Sequence, residues 1–283
     1  MPTCMLSQGI QLSLMPLMMQ QHINNIRTVQ VTRYITPLRE GGSLPALAEA
    51  DDGFMYVLKF KGAGQGAKAL IADLVGAEIA RLAGMKVPEL VYAGLDAAFG
   101  RTEPDEEIQD LLKASVGINL GVHYLSGSIS YDPGVSPVDS ELASTIVWLD
   151  AFITNVDRTA RNTNMLTWHQ ELWLIDFGAS LYFHHTWDNW EEQSKKQFTA
   201  IKDHVLLPYA NEVAAVNKKM QEFFNREHFT NILQMVPDNW LLQFDEEGNT
   251  TEKRKIYVDF LMSRLQHADI FVNEIENARK ALI

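Results

Sequence analysis

The chain has 283 residues, and its 46% hydrophobic content is enough to bury the core of one large domain or of two smaller ones. A formal net charge of -12 argues against a protein that grips a phosphate backbone, so we expect no direct binding to nucleic acid. The single cysteine, Cys4, excludes an internal disulfide and a cysteine-built zinc site, and this usage is typical of a cytoplasmic protein.

Residues 1–27 are interpreted as an N-terminal extension that adds little to the fold. The segment is rich in Met and Leu but lacks the basic region of a signal peptide. Gln, Ser and Pro interrupt it too often for the roughly 20 apolar residues that a membrane helix needs, and no later segment does better. We therefore expect no membrane span, and the run of methionines leaves the translation start open.

Strand patterns dominate residues 28–125. The runs "TVQVTRYI" and "GFMYVLKF" alternate like strands and flank a Gly-Gly turn region. The segment "AKALIADLVGAEIARLAG" places apolar residues at helical spacing, with Gly84 as its predicted stop. "VPELVYAGL" and "VGINLGVHYL" indicate further strands. The first part of the chain is therefore predicted to be a sheet-rich layer that carries one helix.

Helix patterns dominate residues 126–283. Ser136 followed by proline, with Asp139 in the first turn, predicts a helix start, and an apolar stripe continues to Ile153. The polar stretch "NVDRTARNTNML" separates this helix from a predicted strand, "ELWLIDFG", and residues 210–283 indicate amphipathic helices. Together with the first part, this pattern predicts an α+β fold.

Three oxygen-bearing side chains are predicted to converge where loop meets strand. Asp157 and Asn162 stand five residues apart in the polar stretch, and Asp176 follows at the end of the predicted strand. Mg²⁺ prefers carboxylate and amide oxygens together with phosphates, and phosphoryl transfer needs one further carboxylate to orient the attacking hydroxyl. The pattern therefore predicts a phosphotransferase site.

Lys59 is a further candidate residue for the predicted phosphotransferase site. It lies inside the strand "MYVLKF", where a lone charge is costly unless it is paired. A kinase keeps its phosphate-contacting lysine in such a strand. Asp73 or Glu78, both on the helix that follows, could pair with it.

Two other features are given simpler interpretations. The run "GAGQG" lacks the Lys-Ser/Thr of a phosphate loop, so it is interpreted as a flexible connection between strand and helix. His184 and His185 could bind a metal, but adjacent histidines point apart on an extended chain. A solvated loop is the expected structure there.

Residues 28 to about 184 resemble the HipA-like family of atypical kinases. "EGGSLPA", which includes Gly41, Gly42 and Ser43, resembles the family's phosphate-side loop, and "YVLKF" resembles its lysine strand. "ADLVGAEIARLAGMKVPE" is similar to its first helix, "NVDRTARN" to its catalytic loop and "IDFG" to its metal-binding strand end. The resemblance implies a two-lobed, protein-kinase-like fold, with a sheet-rich N-lobe over residues 28–125 and a helical C-lobe over residues 126–283.

The resemblance also implies a set of roles, with ATP and Mg²⁺ as cofactors. Asp157 would be the catalytic base or the residue that orients the hydroxyl, and Asn162 and Asp176 would hold the metal. On the nucleotide side it implies Gly41, Gly42, Ser43 and Lys59 near the phosphates, Asp73 as the partner of the lysine, and Tyr124 in the segment that meets adenine.

Departures from ordinary protein kinases keep several functions open. Asn155 and Val156 stand where those enzymes have His-Arg, and no G-x-G-x-x-G precedes the lysine strand. The expected function is an ATP- and Mg²⁺-dependent phosphotransferase that acts on Ser or Thr of a protein. A small-molecule kinase of the aminoglycoside-phosphotransferase kind and a nucleotide-binding pseudokinase that acts through partners are the alternatives. The sequence does not identify the phosphoryl acceptor, whether the enzyme is a protein kinase or a small-molecule kinase.

Overall fold

The computed structural model describes residues 26–38, 44–99, 103–243 and 248–282. The strands are β1 (Arg27–Pro37), β2 (Ala46–Ala50), β3 (Met55–Lys59), β4 (Leu90–Leu95), β5 (Gly117–His123), β6 (Ile129–Ser130), β7 (Met165–Trp168) and β8 (Glu171–Leu174). The α-helices are α1 (Gly66–Leu82), α2 (Glu106–Ala114), α3 (Ser140–Ile153), α4 (Trp190–Gln193), α5 (Val213–Phe223), α6 (Arg226–Gln234), α7 (Asp238–Leu242), α8 (Thr250–Gln266) and α9 (Ala268–Lys280). Short 3₁₀ turns cover Tyr182–His185, Trp187–Asn189, Thr199–Asp203 and Leu207–Tyr209.

The first five strands close into a barrel in the order β1-β2-β3-β5-β4. Closure comes from the parallel pairing of β1 with β4, whereas the other neighbours are antiparallel. Alternate residues face a separate apolar core, and three alanines in β2, at positions 46, 48 and 50, keep its interior narrow. The sequence predicts these strands but not their closure, because the pairing partners of a strand are not written in its own alternation.

Helix α1 forms as predicted and joins the barrel to the helices that follow. Most of its residues are buried, and its apolar side chains belong to the same core as α3 and the C-terminal helices rather than to the barrel core. Gly84 follows the helix with φ +86°, a backbone conformation that glycine adopts without strain, so the predicted stop is confirmed.

Hydrogen bonds connect the C-terminal part of the chain to the barrel and to the start of α1. The indole of Trp240 donates to the carbonyl of Ile118 at 3.0 Å. The Gln243 amide accepts from the backbone of Ala67 at 2.8 Å and donates to the carbonyl of Lys61 at 3.0 Å. The "GAGQG" connection, which lies between these last two contacts, is therefore held at both ends.

Helix α3 begins later than the sequence predicts. Asp139, not Ser136, is the N-cap, and its carboxylate accepts from the amide of Leu142 at 2.9 Å. The prediction of Ser136 as the cap was wrong because the helix begins only at Ser140, so the carboxylate of Asp139 is the side chain that reaches an amide of the first turn. The helix ends at Ile153, and Thr154 takes up the left-handed conformation that starts the next loop.

A second, three-stranded sheet of β6, β7 and β8 follows. The predicted strand to Gly178 was too long, because β8 ends at Leu174 and pairs with β7, a strand that was not predicted and whose first two residues lie in the polar stretch. The hairpin turns at His169 and Gln170, both with positive φ, and neither residue type signals a turn. Asp176 therefore lies in a loop beyond the strand, not at its end.

Helices and sheets are both present, which confirms the mixed class predicted. The structure adds the closed barrel and helix α2, which has Asp105 as its N-cap. Within the described ranges, no helix is both long and apolar enough to cross a membrane.

Candidate active site

Strand β3 delivers Lys59 to the site. Tyr56 and Leu58 point into the barrel core, so the alternate residue Lys59 emerges on the other face. Its ammonium lies 2.5 Å from Oδ2 of Asp73 on α1 and 2.6 Å from Oδ1 of Asp176. The structure thus brings together three of the predicted residues from three separate parts of the chain. We call Lys59, Asp73 and Asp176 the active-site cluster.

Burial and mutual attraction set the charges of this cluster. Burial lowers the pKa of Lys59, but the carboxylates of Asp176 and Asp73 outweigh it and raise that pKa above its ordinary value. Burial raises the pKa of Asp73 to about 6, with Asp176 adding to the rise. Burial also acts to raise the pKa of Asp176, but Lys59 outweighs it, and the net shift is downward. Lys59 is therefore a cation and Asp176 an anion at neutral pH.

Asp73 is the acidic residue of helix α1 that contacts Lys59. Besides Lys59, it accepts the backbone amide of Phe177 on its Oδ1 at 2.6 Å, so one carboxylate binds strand β3 to the loop of Asp176. Glu78 pairs instead with Arg81, one turn further along α1, at 3.3 Å. The structure therefore decides between the two partners that the sequence analysis left open, in favour of Asp73.

The order Asp-Phe-Gly has a local physical reason. Asp176 has φ +54°, a left-handed conformation that is uncommon for a non-glycine residue and that is found at functional sites. A Cβ added at Gly178 would lie 3.2 Å from Oδ2 of Asp73 and 3.4 Å from Oδ1 of Asp176. The glycine therefore leaves room for both carboxylates to meet around Lys59.

The loop after α3 brings Asp157 and Asn162 together. Oδ2 of Asp157 accepts from the amide of Asn162 at 2.8 Å and from that of Asn164 at 3.3 Å. The backbone amide of Asp157 donates to the side chain of Asn155 at 3.1 Å. The Asp157 carboxylate is partly exposed and held from one side, which suits a group that meets a substrate.

A fully buried network lies beneath this loop. Asp150 on α3 accepts from Arg158 at 2.6 Å, from His204 at 2.9 Å and from Asn155 at 2.9 Å. Burial acts to raise the pKa of Asp150, but the Arg158 charge and the His204 hydrogen bond outweigh it and lower that pKa. We call Asp150, Arg158 and His204 the anchoring network.

Arg158 connects the two loops of the site. Its guanidinium donates to the carbonyl of Asn164 in one loop and, at 3.4 Å, to that of Ile175 in the other. It also lies 5.0 Å from the ring centre of Phe177. Arg158 directly follows Asp157 in sequence, yet its role was not predicted, because its partners are backbone carbonyls and a buried carboxylate on the preceding helix.

The sequence of residues 31–273 matches the family model of the HipA-like kinases. The chain belongs to the HipA-like kinase family. The loop of Asp157 and the loop of Asp176 both lie within the matched range. No curated protein matches the sequence.

A solved structure extends this finding. The crystal structure of a Helicobacter pylori proinflammatory kinase, CtkA, is similar with a TM-score of 0.52 and 12% sequence identity, covering 90% of this chain and 99% of that chain. At such identity the similarity concerns the fold. It supports a kinase-like fold for this HipA-like kinase.

The remaining nucleotide-side predictions have different outcomes in this HipA-like kinase. Tyr124 follows β5 directly, is 36% exposed, and donates its backbone amide to the carbonyl of Met55 at 2.9 Å. The structure thus places Tyr124 at the surface next to β3, and its contact with adenine stays a prediction. Gly41, Gly42 and Ser43 lie outside the described residues.

Asn162 and Asp176 offer ligand atoms of the kind that Mg²⁺ prefers. Asn162 bonds to Asp157 through its nitrogen, which keeps its oxygen as an acceptor. Lys59 and the Gly178 amide both bind Oδ1 of Asp176, so Oδ2 is the atom to turn towards a metal. Among the described residues, no three His, Cys, Asp or Glu side chains are grouped to hold a metal alone. An amide, one carboxylate and substrate phosphates fit Mg²⁺ in that setting.

His184 differs from its prediction. A solvated loop was expected, but His184 is buried, and its Nδ1 lies 2.9 Å from the hydroxyl of Tyr257. Burial lowers its pKa well below the ordinary value. The residue packs the segment after Asp176 against α8, a contact that no local pattern encodes.

Proposed function

We propose that this HipA-like kinase is an ATP- and Mg²⁺-dependent phosphotransferase that acts on Ser or Thr of a protein in the cytoplasm. It would have two lobes, residues 28–125 and 126–283, with the nucleotide between them. The observation that carries the proposal is the active-site cluster. Lys59, Asp73 and Asp176 reach it from the barrel, the connecting helix and the loop after β8, and kinase chemistry needs a lysine and a metal-binding carboxylate at one place.

In this proposal, the chain's residues position the nucleotide. Lys59, kept charged by its two carboxylates, would bind phosphate oxygens of ATP, and Asp73 would hold that lysine in place. Asn162 and Asp176 would hold the metal. Bound Mg²⁺ would neutralise the charge that develops on the phosphates.

Asp157 would act on the acceptor. Its carboxylate, steadied by Asn162 and Asn164, would orient a hydroxyl whose oxygen attacks the γ-phosphorus while the bond to the bridging oxygen breaks and ADP leaves. The hydroxyl proton would pass to Asp157. This interaction matters mainly in the transition state, so the carboxylate would contribute to turnover more than to nucleotide affinity.

The partly exposed carboxylate of Asp157 also allows a small-molecule acceptor, as in kinases of the aminoglycoside-phosphotransferase kind. An acidic chain tolerates a cationic substrate of that type. A pseudokinase is less well supported, because Lys59, Asp157, Asn162 and Asp176 are all present.

Incubation of the purified protein with Mg²⁺ and γ-labelled ATP separates these functions. Label on the protein itself or on added protein substrates supports the proposed kinase. Label on small hydroxyl compounds supports the second candidate. Nucleotide binding without turnover supports a pseudokinase, and an absence of both binding and turnover contradicts the proposal. Asp157→Asn is the control, since it should remove turnover in either enzyme.

A further inference from the structure

One turn of α1 beyond Asp73 lies Gly76, directly against Phe177. A Cβ built at position 76 would stand 2.7 Å from Cβ of Phe177, 3.0 Å from its Cγ and 3.1 Å from its Cδ1. Real side chains essentially never approach so closely, so any larger residue would force the helix and the loop apart. The contact lies between α1 and the residue that follows Asp176.

Phe177 has little freedom to move away. It is buried, its amide donates to Asp73, and its carbonyl accepts from the hydroxyl of Ser180 at 2.7 Å. Its ring also faces the buried guanidinium of Arg158. The nearest atom to the added Cβ is the Cβ of Phe177, so relief of the clash requires a backbone shift rather than a change of rotamer.

Helix propensity gives no reason for this glycine. Glycine is among the least favourable residues in a helix interior, and alanine is the most favourable. A glycine in the middle of a buried helix therefore indicates a packing requirement. Asp73 and Gly76 share one helix face, which explains why the carboxylate and the missing side chain meet the same loop residue.

We propose that Gly76 is a positioning residue, whose lack of a side chain lets α1 approach closely enough for Asp73 to span Lys59 and the Phe177 amide. The inference rests on the proposed kinase function for its consequence in activity. The close approach of α1 to Phe177 at Gly76 does not depend on that function. A larger residue at position 76 would lengthen the bonds of Asp73 and so misplace both Lys59 and Asp176.

The first test compares Gly76→Ala with Gly64→Ala. The second is a matched control, because a Cβ at Gly64 would meet nothing within 4 Å and the backbone there has no positive φ. We expect Gly76→Ala to lower kcat/KM for ATP at least tenfold while circular dichroism shows an unchanged helix content, and Gly64→Ala to stay within twofold of the wild type. A folded Gly76→Ala protein with turnover within twofold of the wild type would overturn the inference.

The second test removes the clash from the other side. Phe177→Gly removes the Cβ that lies 2.7 Å from the added methyl group. Alone it should lower activity, but in the Gly76→Ala background the combined loss should be at least threefold smaller than the product of the two single losses, because the clash is gone. A residue with a merely structural role would give two independent losses that multiply. Two such losses, or a double variant that does not fold, would contradict the proposal.

A structural readout separates this inference from the proposed function. In a crystal structure of Gly76→Ala, the Lys59–Asp73 distance, 2.5 Å here, should lengthen beyond hydrogen-bond range. An unchanged distance overturns the role of Gly76 whatever the activity. Wild-type protein without nucleotide binding or turnover would instead refute the proposed function, and the crystallographic test of Gly76 would still apply.

Discussion

The active-site cluster and the anchoring network are built from similar parts and differ in access to solvent. In each, an aspartate meets cationic or hydrogen-bonding side chains from distant segments. The Asp176 side chain is 43% exposed, whereas the side chains of Asp150 and Arg158 are fully buried. In the cluster, one lysine faces two carboxylates; in the network, one carboxylate is surrounded by donors. The cluster therefore keeps an excess of negative charge that suits a metal ion, whereas the carboxylate of the network is satisfied by donors of the protein itself.

This comparison divides the effects of mutation. A change in the anchoring network should act on stability, since a buried charge would be left without its partner. A change at Asp176 should act mainly on nucleotide binding and turnover, since water can reach the half-exposed group that remains.

Asp150→Asn should be strongly destabilising. The amide cannot neutralise the buried Arg158, and loss of one partner of a buried ion pair costs about 3–5 kcal/mol in the free energy of unfolding. Urea denaturation measures the loss. Asp176→Asn is the matched control, because it removes a half-exposed carboxylate and leaves the Lys59–Asp73 pair, so its loss should stay below about 1 kcal/mol. Equal losses in the two variants would contradict the comparison.

Lys59→Met should abolish turnover with a smaller cost in stability. We expect activity to fall about a thousandfold, equivalent to about 4 kcal/mol in the transition state. The variant leaves the Asp73 carboxylate buried without its cation, so the free energy of unfolding should fall by about 1–3 kcal/mol. Adding Asp73→Asn should recover stability and leave turnover absent. Wild-type turnover in Lys59→Met would end the assignment of this lysine.

The same division explains what the sequence predicts. Lys59, Asp73 and Asp176 stand in short motifs, because their chemistry demands particular side chains at fixed positions relative to a strand, helix or loop. Arg158 lies within the run "NVDRTARN", but that motif does not reveal its role, because its partners are a helix residue and backbone carbonyls brought near by the fold. His204 stands in no motif. Barrel closure and the contact of His184 with Tyr257 of α8 were not predicted either, because both join segments that are far apart in the sequence.

Local rules also failed where two were in competition. Ser136 and proline satisfied the rule for a helix start, but Asp139 won because its carboxylate reaches an amide of the first turn. Strand β7 was not predicted, since its own short sequence has no strand pattern and only its pairing with β8 makes it a strand. Helical periodicity, in contrast, gave α1 within two residues of its observed ends.

Stability should decrease as the pH falls below about 6.5, because of His204 in the network and the buried His184. Burial lowers the pKa of both, so the folded state keeps them neutral while the unfolded chain takes up protons near pH 6.5. The unfolded state then binds more protons, with a slope of up to about 1.4 kcal/mol per pH unit for each histidine. Unfolding measured from pH 7.5 to 5.5 should show a shallower slope in His204→Gln. An identical slope would contradict the burial argument.

Glu78→Gln should have the smallest effect. Its partner is Arg81, and an i,i+3 pair of this kind contributes about 0.2–0.5 kcal/mol. Turnover should stay within twofold of the wild type, whereas Asp73→Asn should lower it at least a hundredfold. Parallel kinetic assays of the two variants check this contrast. A larger loss of turnover in Glu78→Gln than in Asp73→Asn would show that Glu78, not Asp73, is the acidic residue of α1 on which activity depends.

In the proposed function, the active-site cluster binds metal and nucleotide, and Asp157 acts on the acceptor. The direct measurement is calorimetric titration of wild type, Asp176→Asn and Asp157→Asn with a non-hydrolysable ATP analogue, with and without Mg²⁺. We predict that Asp176→Asn loses the Mg²⁺-dependent part of binding and that Asp157→Asn keeps it. Loss of that binding in Asp157→Asn with retention in Asp176→Asn would reverse the two roles. Wild-type protein that binds no nucleotide in either condition would contradict the whole account.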